Sequence, residues 1–176
     1  MEKSPKNYDV LIIGAGPAGA NAAISYKNLN PNLTVGLVDK AIFPRDKSCG
    51  DAIGPGVISA LKRFNNEHIL DGEPQVVSTT LYGPDNIGIQ NYIPEVKNKE
   101  DSIVYVIPRV DLDNRILDLA KECGVDVYEG YSFVDFTSNL DKSLNVQIKN
   151  ENENLEFLTK ILVGADGANS RIRKKL

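Results

Sequence analysis

The chain contains no tryptophan, one histidine and two cysteines among its 176 residues. Two cysteines, Cys49 and Cys123, are too few for a disulfide framework, and their placement matches no zinc spacing. No metal site is therefore expected, and a reducing, cytoplasmic location fits this cysteine usage. No apolar run approaches the roughly 18 residues needed to span a bilayer. The N-terminal stretch MEKSPKNYD lacks a signal-peptide core, because the apolar residues after it are soon broken by glycines. There is no excess of positive charge either. The formal net charge is −4, which argues against nucleic acid as a partner. The lone histidine, His68, lies in NNEHILDG and reads as a surface loop residue.

What is present is an ordinary globular composition, 41% hydrophobic and 25% charged, in a chain long enough for one buried core. The organising stretch is Tyr8 to Gly19, YDVLIIGAGPAG. Asp9 to Ile13 has the nearly continuous apolar character of a parallel strand covered on both faces, and residues 1–7 read as a frayed tail. Gly14, Gly16 and Gly19 follow at the spacing of a dinucleotide-binding turn. The first permits the turn, the second leaves room for a pyrophosphate, and the third lets helix and strand pack closely. Pro17 suits the first turn of a helix that also carries Ala18 and ends before Pro31. The N-terminus of that helix would present free N–H groups to a phosphate.

Thr34 to Val38 reads as a second buried strand, with Asp39 at its end, about 25 residues after Gly14. Asp39 could be a solvated strand-end carboxylate, but the glycines and the spacing favour contact with ribose hydroxyls. An acid here disfavours a ribose 2′-phosphate, so the nucleotide is expected to be FAD or NAD and not NADP.

Lys40 to Gly56 (KAIFPRDKSCGDAIGPG) reads as a loop, and its length suggests function. An amphipathic helix is predicted over 56–65, then hairpin-like strands from Gln75 to Val106 with breaks at Gly83–Asn86 and Pro94–Asp101. Asp111 is the predicted N-cap of a helix bearing Leu112, Ile116, Leu119, Ala120 and Cys123 on its apolar face, closed by Gly124. Cys123 fits that face as a small core hydrophobe. Val125–Tyr128 is expected as a third parallel strand. An antiparallel meander of Tyr131–Thr137, Leu144–Lys149 and Leu155–Leu158 follows, then a separate fourth parallel strand at Lys160–Val163. Asn169 or Ser170 can cap one more helix, too short to stand unpacked, which reads as a chain cut after Leu176. Its basic residues Arg171, Arg173, Lys174 and Lys175 read as a solvated face.

The order GAGPAG, VDK, FPRDKSCGD, PRVDLDNRILDLA and VGADGANSRIR resembles the FAD-dependent oxidoreductases related to para-hydroxybenzoate hydroxylase. Within them FPRDKSCGDAIGP is similar to the geranylgeranyl reductase family. The halogenase branch carries a tryptophan-rich motif that this chain lacks. The resemblance implies an α/β, Rossmann-like FAD-binding domain of the glutathione-reductase type over 1–176. It would have a parallel sheet, a β-rich insertion at about 66–107 and a β-meander at 131–158. A substrate domain and a second, C-terminal Gly-Asp motif would be missing.

The resemblance also implies roles by residue. Gly14, Ala15, Gly16, Pro17, Ala18 and Gly19 would hold the FAD pyrophosphate, and Asp39, followed by Lys40, the adenosine ribose. Arg45, Cys49, Gly50 and Asp51 would line the flavin side, with Cys49 near the isoalloxazine and the one candidate for a catalytic role. From composition alone Cys49 could equally be a plain buried cysteine; Lys47 would favour its thiolate, and Asp46 and Asp51 would oppose it. Arg109 would contact the cofactor through its guanidinium fork, its bland alternative being a surface charge leading a helix. Val134 would meet adenine through its backbone, and Asp166 and Gly167 form the motif shared between FAD and a reduced nicotinamide. The complete enzyme would reduce isoprenoid double bonds by flavin hydride transfer, with NADPH or NADH as donor. It would take a small-molecule or prenyl-lipid substrate and associate peripherally with membranes through it. The alternatives are an FAD-dependent monooxygenase of the same superfamily and a non-catalytic FAD-binding fragment.

Overall fold

In a computed structural model, which describes residues 5–92 and 104–176, the elements follow in the order β1 (Lys6–Ile13), α1 (Pro17–Leu29), β2 (Val35–Asp39), β3 (Ala52–Ile53), α2 (Pro55–Lys62), β4 (Ser78–Tyr82), β5 (Gly88–Tyr92), β6 (Tyr105–Val106), α3 (Arg109–Glu122), β7 (Asp126–Glu129), β8 (Ser132–Ser138), β9 (Leu144–Lys149), β10 (Asn154–Gly164) and α4 (Arg171–Lys175). They fall into two units, Met1–Asp46 with Asp113–Leu176, and Lys47–Leu112. No helix among the described residues is long and apolar enough to cross a membrane.

The first unit is built on a six-stranded sheet in the order β7-β2-β1-β10-β9-β8. β7, β2, β1 and β10 run parallel, and β10, β9 and β8 are antiparallel. This is the mixed α/β, Rossmann-like architecture expected from the sequence. Val10, Leu11 and Ile12 of β1 are fully buried, as a strand covered on both faces requires. The strand starts at Lys6, inside the stretch read as a frayed tail, because Lys6 and Asn7 pair with Phe157 and Leu158.

The runs Leu155–Leu158 and Lys160–Val163, read as two strands, are one. β10 spans 11 residues, antiparallel to β9 along its first half and parallel to β1 as far as Gly164. The intervening Thr159 does not break it, since its buried hydroxyl donates to the Ile161 carbonyl at 3.0 Å. Phe133, Val146, Ile148 and Phe157 of the antiparallel strands share one core with Tyr8, Leu11, Ile13 and Val38.

Tyr8 reaches across Gly36, where a Cβ would come within 3.1 Å of its ring. Its hydroxyl lies 2.9 Å from Asp126 and 2.7 Å from the Tyr128 hydroxyl, so strands β1 and β7 are tied over β2. Burial, and then those partners, push the Tyr8 phenol above its ordinary pKa.

α3 starts two residues before its expected cap. The Pro108 carbonyl accepts from the amides of Asp111 and Leu112, both at 3.0 Å, and Asp111 lies in the first turn, where a negative charge suits the helix dipole. The helix closes as predicted. Gly124 (φ +80°) donates to Lys121 and Val125 to Ala120, the paired bonds of a Schellman end. α4 is capped by Ser170, whose hydroxyl accepts from the Arg173 amide at 3.0 Å. It is short but not unpacked, because Ile172 is buried in the core of the sheet.

In the second unit, β3 pairs with β6 and β4 with β5, both antiparallel. α2 begins with Pro55 after Gly54 and buries Ile58 and Leu61. The predicted break at Gly83–Asn86 is the β4–β5 turn, with Asn86 at φ +61°. The break at Pro94–Asp101 lies outside the described residues. His68 is exposed in a single 3₁₀ turn, Glu67–Leu70.

Candidate functional site

The ends of β1, β2 and β10 meet at the glycine turn. Gly14 donates from its amide to the Val38 carbonyl at 2.7 Å, and Ala165 donates to Ile13 at 2.8 Å. Gly14 has φ +103°, and a Cβ on it would lie 2.3 Å from the Ala165 carbonyl oxygen. A Cβ on Gly19 would lie 1.8 Å from the Gly14 oxygen, so the third glycine sets how closely α1 approaches the strand. Gly16 caps α1 and Pro17 opens it. The first helical bond runs from the Ala20 amide to the Gly16 carbonyl at 3.0 Å. The amides of Ala18 and Gly19 precede it, at the positive end of the helix.

Asp39 is fastened to this turn. One carboxylate oxygen accepts from the Ala15 amide at 2.7 Å and the other from the Ala41 amide at 2.8 Å. Ala15, assigned from the sequence to the pyrophosphate, is therefore fully buried with its N–H on Asp39. Lys40 beside it is exposed. The segment that continues from Asp39 is held by residues 129–131. Tyr131 and Gly130 donate to the carbonyls of Asp39 and Ala41, and Phe43 donates to Glu129 at 2.8 Å.

That anchoring delivers Arg45, which resemblance grouped with Cys49, Gly50 and Asp51 on the flavin side, to the glycine turn. A Cβ on Gly16 would come within 3.4 Å of Arg45 Nη2. The guanidinium stacks over the Phe43 ring at 4.9 Å and pairs with Asp113 at 3.5 Å. Asp113 is almost fully buried. It is a site residue that sequence reasoning missed. The signal was present, since Asp113 stands three and four positions before Ile116 and Leu117, both buried on α3.

Asp166 and Gly167 follow the end of β10, in the same unit. One Asp166 oxygen accepts from the Arg171 amide at 2.7 Å, and the other is buried without a hydrogen-bond partner among the described residues. Burial works to raise the Asp166 pKa, but the Ser170 hydroxyl and the Arg171 amide outweigh it and hold the carboxyl below its usual range. The basic residues of α4 are partly engaged: Arg171 donates to the Phe133 carbonyl, Arg173 to Ala168, and Lys175 pairs with Asp135. Val134 is exposed at an irregularity in β8, where the register with β9 passes from Phe133 to Asp135. A bulge of this kind leaves a backbone outside the ladder.

In the second unit the structure groups Cys49, Gly50, Asp51 and Arg109. Cys49 is exposed, not a buried core residue. The Asp51 backbone N–H, and then the Arg109 side chain, lower its thiol below the ordinary value. The Arg109 amide donates to the Asp51 carboxylate at 3.2 Å, and Ile107 donates to the Asp51 carbonyl. Asp51 has φ +55°, and the space above Gly50 is open. Sequence reasoning looked to Lys47 as a cation favouring this thiolate; Arg109, far along the chain, is a further one that it did not link to Cys49.

The first-unit arrangement has the chemistry of a diphosphate cradle. It combines a helix N-terminus, a turn with no side chain in the way and a guanidinium at its mouth. The adjoining Asp39 carboxylate retains lone pairs for hydroxyl donors. A dinucleotide such as FAD fits these residues.

Comparison with known proteins agrees. The sequence profile described as "FAD binding domain" matches residues 7–176. A menaquinone reductase of Mycolicibacterium smegmatis is 30% identical over 96% of the chain and 39% of its own length. A geranylgeranyl diphosphate reductase of Rhodobacter capsulatus is 29% identical over 96% of the chain and 40% of its own length. Among solved structures, a geranylgeranyl bacteriochlorophyll reductase-like protein of Thermoplasma acidophilum shares the fold with a TM-score of 0.77 at 23% identity, covering 93% of this chain and 40% of that one. The chain spans about two fifths of the length of the curated relatives it matches. These relatives bear out the resemblance read from the sequence, and this chain belongs to the FAD binding domain family.

Proposed function

We propose that the chain is the FAD-binding part of an oxidoreductase that reduces isoprenoid double bonds. The observation that carries this reading is the Arg45 guanidinium set beside Gly16 at the N-terminal end of α1, next to Asp39. The names of the reductases among its relatives supply the substrate class. The turn Gly14–Gly19 with Arg45 would hold the diphosphate. Asp39 would take the adenosine ribose and the Val134 backbone the adenine, while Asp166 and Gly167 would close the cofactor site. Cys49, Gly50, Asp51 and Arg109 belong to its flavin end by resemblance. Held by these residues, FAD would supply the hydride chemistry that saturates a double bond, with NADPH or NADH as the source of its electrons. The chain's own residues bind and orient it. The substrate is a prenyl lipid, met by peripheral contact with a membrane. The domain boundaries, an FAD-binding part with insertion 66–107 and meander 131–158, completed by a substrate domain elsewhere, belong to the same proposal.

The test is to purify the full-length protein, substrate domain included, with FAD and offer it a polyprenyl substrate under anaerobic conditions with NADPH or NADH. The expected protein is yellow, loses its colour with reductant, and yields a product with two more hydrogens per saturated bond. A colourless protein that releases no flavin on denaturation refutes the reading. Product formed only with oxygen would replace it with a monooxygenase.

A further inference from the structure

We propose that Asp113 is a positioning residue for the cofactor's diphosphate, acting through Arg45. The inference rests on the FAD reading above and extends it to a residue that does not itself face the cofactor. Asp113 is 1% exposed, and a carboxylate so buried needs a cationic or hydrogen-bonding partner to remain charged. Arg45 is one such partner, at 3.5 Å. The guanidinium is thereby held from two sides, by Asp113 and by the Phe43 ring at 4.9 Å, and it lies beside Gly16, where an added Cβ would come within 3.4 Å of Nη2.

A guanidinium carries five N–H donors in a rigid plane, so pairing with one carboxylate leaves donors for an anion. Charge balance alone would be met by any cation on a flexible stem. A fork clamped against a helix N-terminus adds direction, which bidentate contact with phosphate oxygens demands. Replacing a buried pair with well-packed apolar residues is often neutral or stabilising, so stability does not by itself require a carboxylate here. Aiming Arg45 does.

The experiment compares the full chain with Asp113→Asn, Arg45→Gln, the double variant, Arg45→Lys and Asp113→Glu, titrated with FAD, ADP and adenosine by calorimetry or NMR. Asp113→Asn is expected to weaken FAD and ADP by roughly tenfold to a hundredfold, the scale of a hydrogen bond to a charged group, and to leave adenosine unchanged. The double variant should bind ADP no more weakly than Arg45→Gln alone, since the two residues act as a unit. Arg45→Lys should lose ADP affinity although the charge remains. If Asp113→Asn fails to fold, Asp113→Glu decides, and ADP affinity equal to that of the unaltered chain overturns the proposal. Adenosine binding lost in proportion to ADP overturns it too, because the effect would then be structural. An unaltered chain that binds neither FAD nor ADP overturns the underlying FAD reading. One that binds both, with variants unaffected, overturns the role of Asp113 alone.

Discussion

The turn after β1 and the loop leading into β3 both place glycine beside polar side chains, and they are built in opposite ways. At the first, Gly14 and Gly19 are crowded by backbone, and both oxygens of Asp39 are held by amides of the same unit. At the second, Gly50 has nothing within 4 Å of a would-be Cβ, and the Cys49 thiol is exposed. The first is shaped by its own packing before any ligand arrives. At the second, internal packing imposes no such requirement for glycine, and what the loop offers is a reactive group and a cation. Preorganisation of that first kind lowers the ordering cost of binding.

The widest separation is expected between Gly19→Ala and Gly50→Ala. The first forces a Cβ onto a carbonyl oxygen and should cost about 4 kcal/mol or more in urea unfolding, the second within about 0.5 kcal/mol. Equal losses would erase the distinction. Asp39→Asn comes next. Its amide nitrogen cannot accept from Ala15 or Ala41, so about 1–3 kcal/mol should be lost, and a variant as stable as the parent would show the turn to be held by packing alone.

A smaller, pH-dependent effect attaches to Asp166. Its folded pKa is depressed, so its contribution is present above the ordinary carboxylate range and is lost as pH falls through the folded value. The stability gap between the unaltered chain and Asp166→Asn should therefore narrow on acidification. A gap that widened would reverse the assignment. Last, Cys49 should be alkylated faster at neutral pH than Cys123, whose thiol is pushed up by burial. Arg109→Gln should move the Cys49 pH–rate curve to higher pH, and an unmoved curve would leave the backbone amides of Asp51 and Gly50 as the cause.

Features whose signal is local were legible in the sequence. The three glycines, the apolar strand before them and the Gly124 helix end each follow from a few neighbouring residues. What escaped depends on residues far apart in the chain. β10 was divided because Thr159 and Lys160 interrupt its pattern, yet pairing with β1 carries the strand through. The influence of Arg109 on Cys49 crosses most of the second unit, and no periodicity reports it. Asp113 draws no attention in the sequence, although it stands three positions before the buried Ile116 and is itself buried. Val134 was assigned from resemblance; the irregularity in β8 that sets its backbone apart is a matter of register, invisible in composition.

The long strand β10 also sets an order of events. Lys6 stands opposite Phe157 and Ile13 opposite Gly164, so one edge of β1 is matched by residues far along the chain. During synthesis β1 can pair with β2 early, but its other edge stays open until Phe157–Gly164 has emerged. Closing such a distant contact is slow, and an open apolar edge invites pairing with other chains. The sheet that carries the glycine turn is thus completed from its most distant part, and the same late closure seats Ala165 against Gly14.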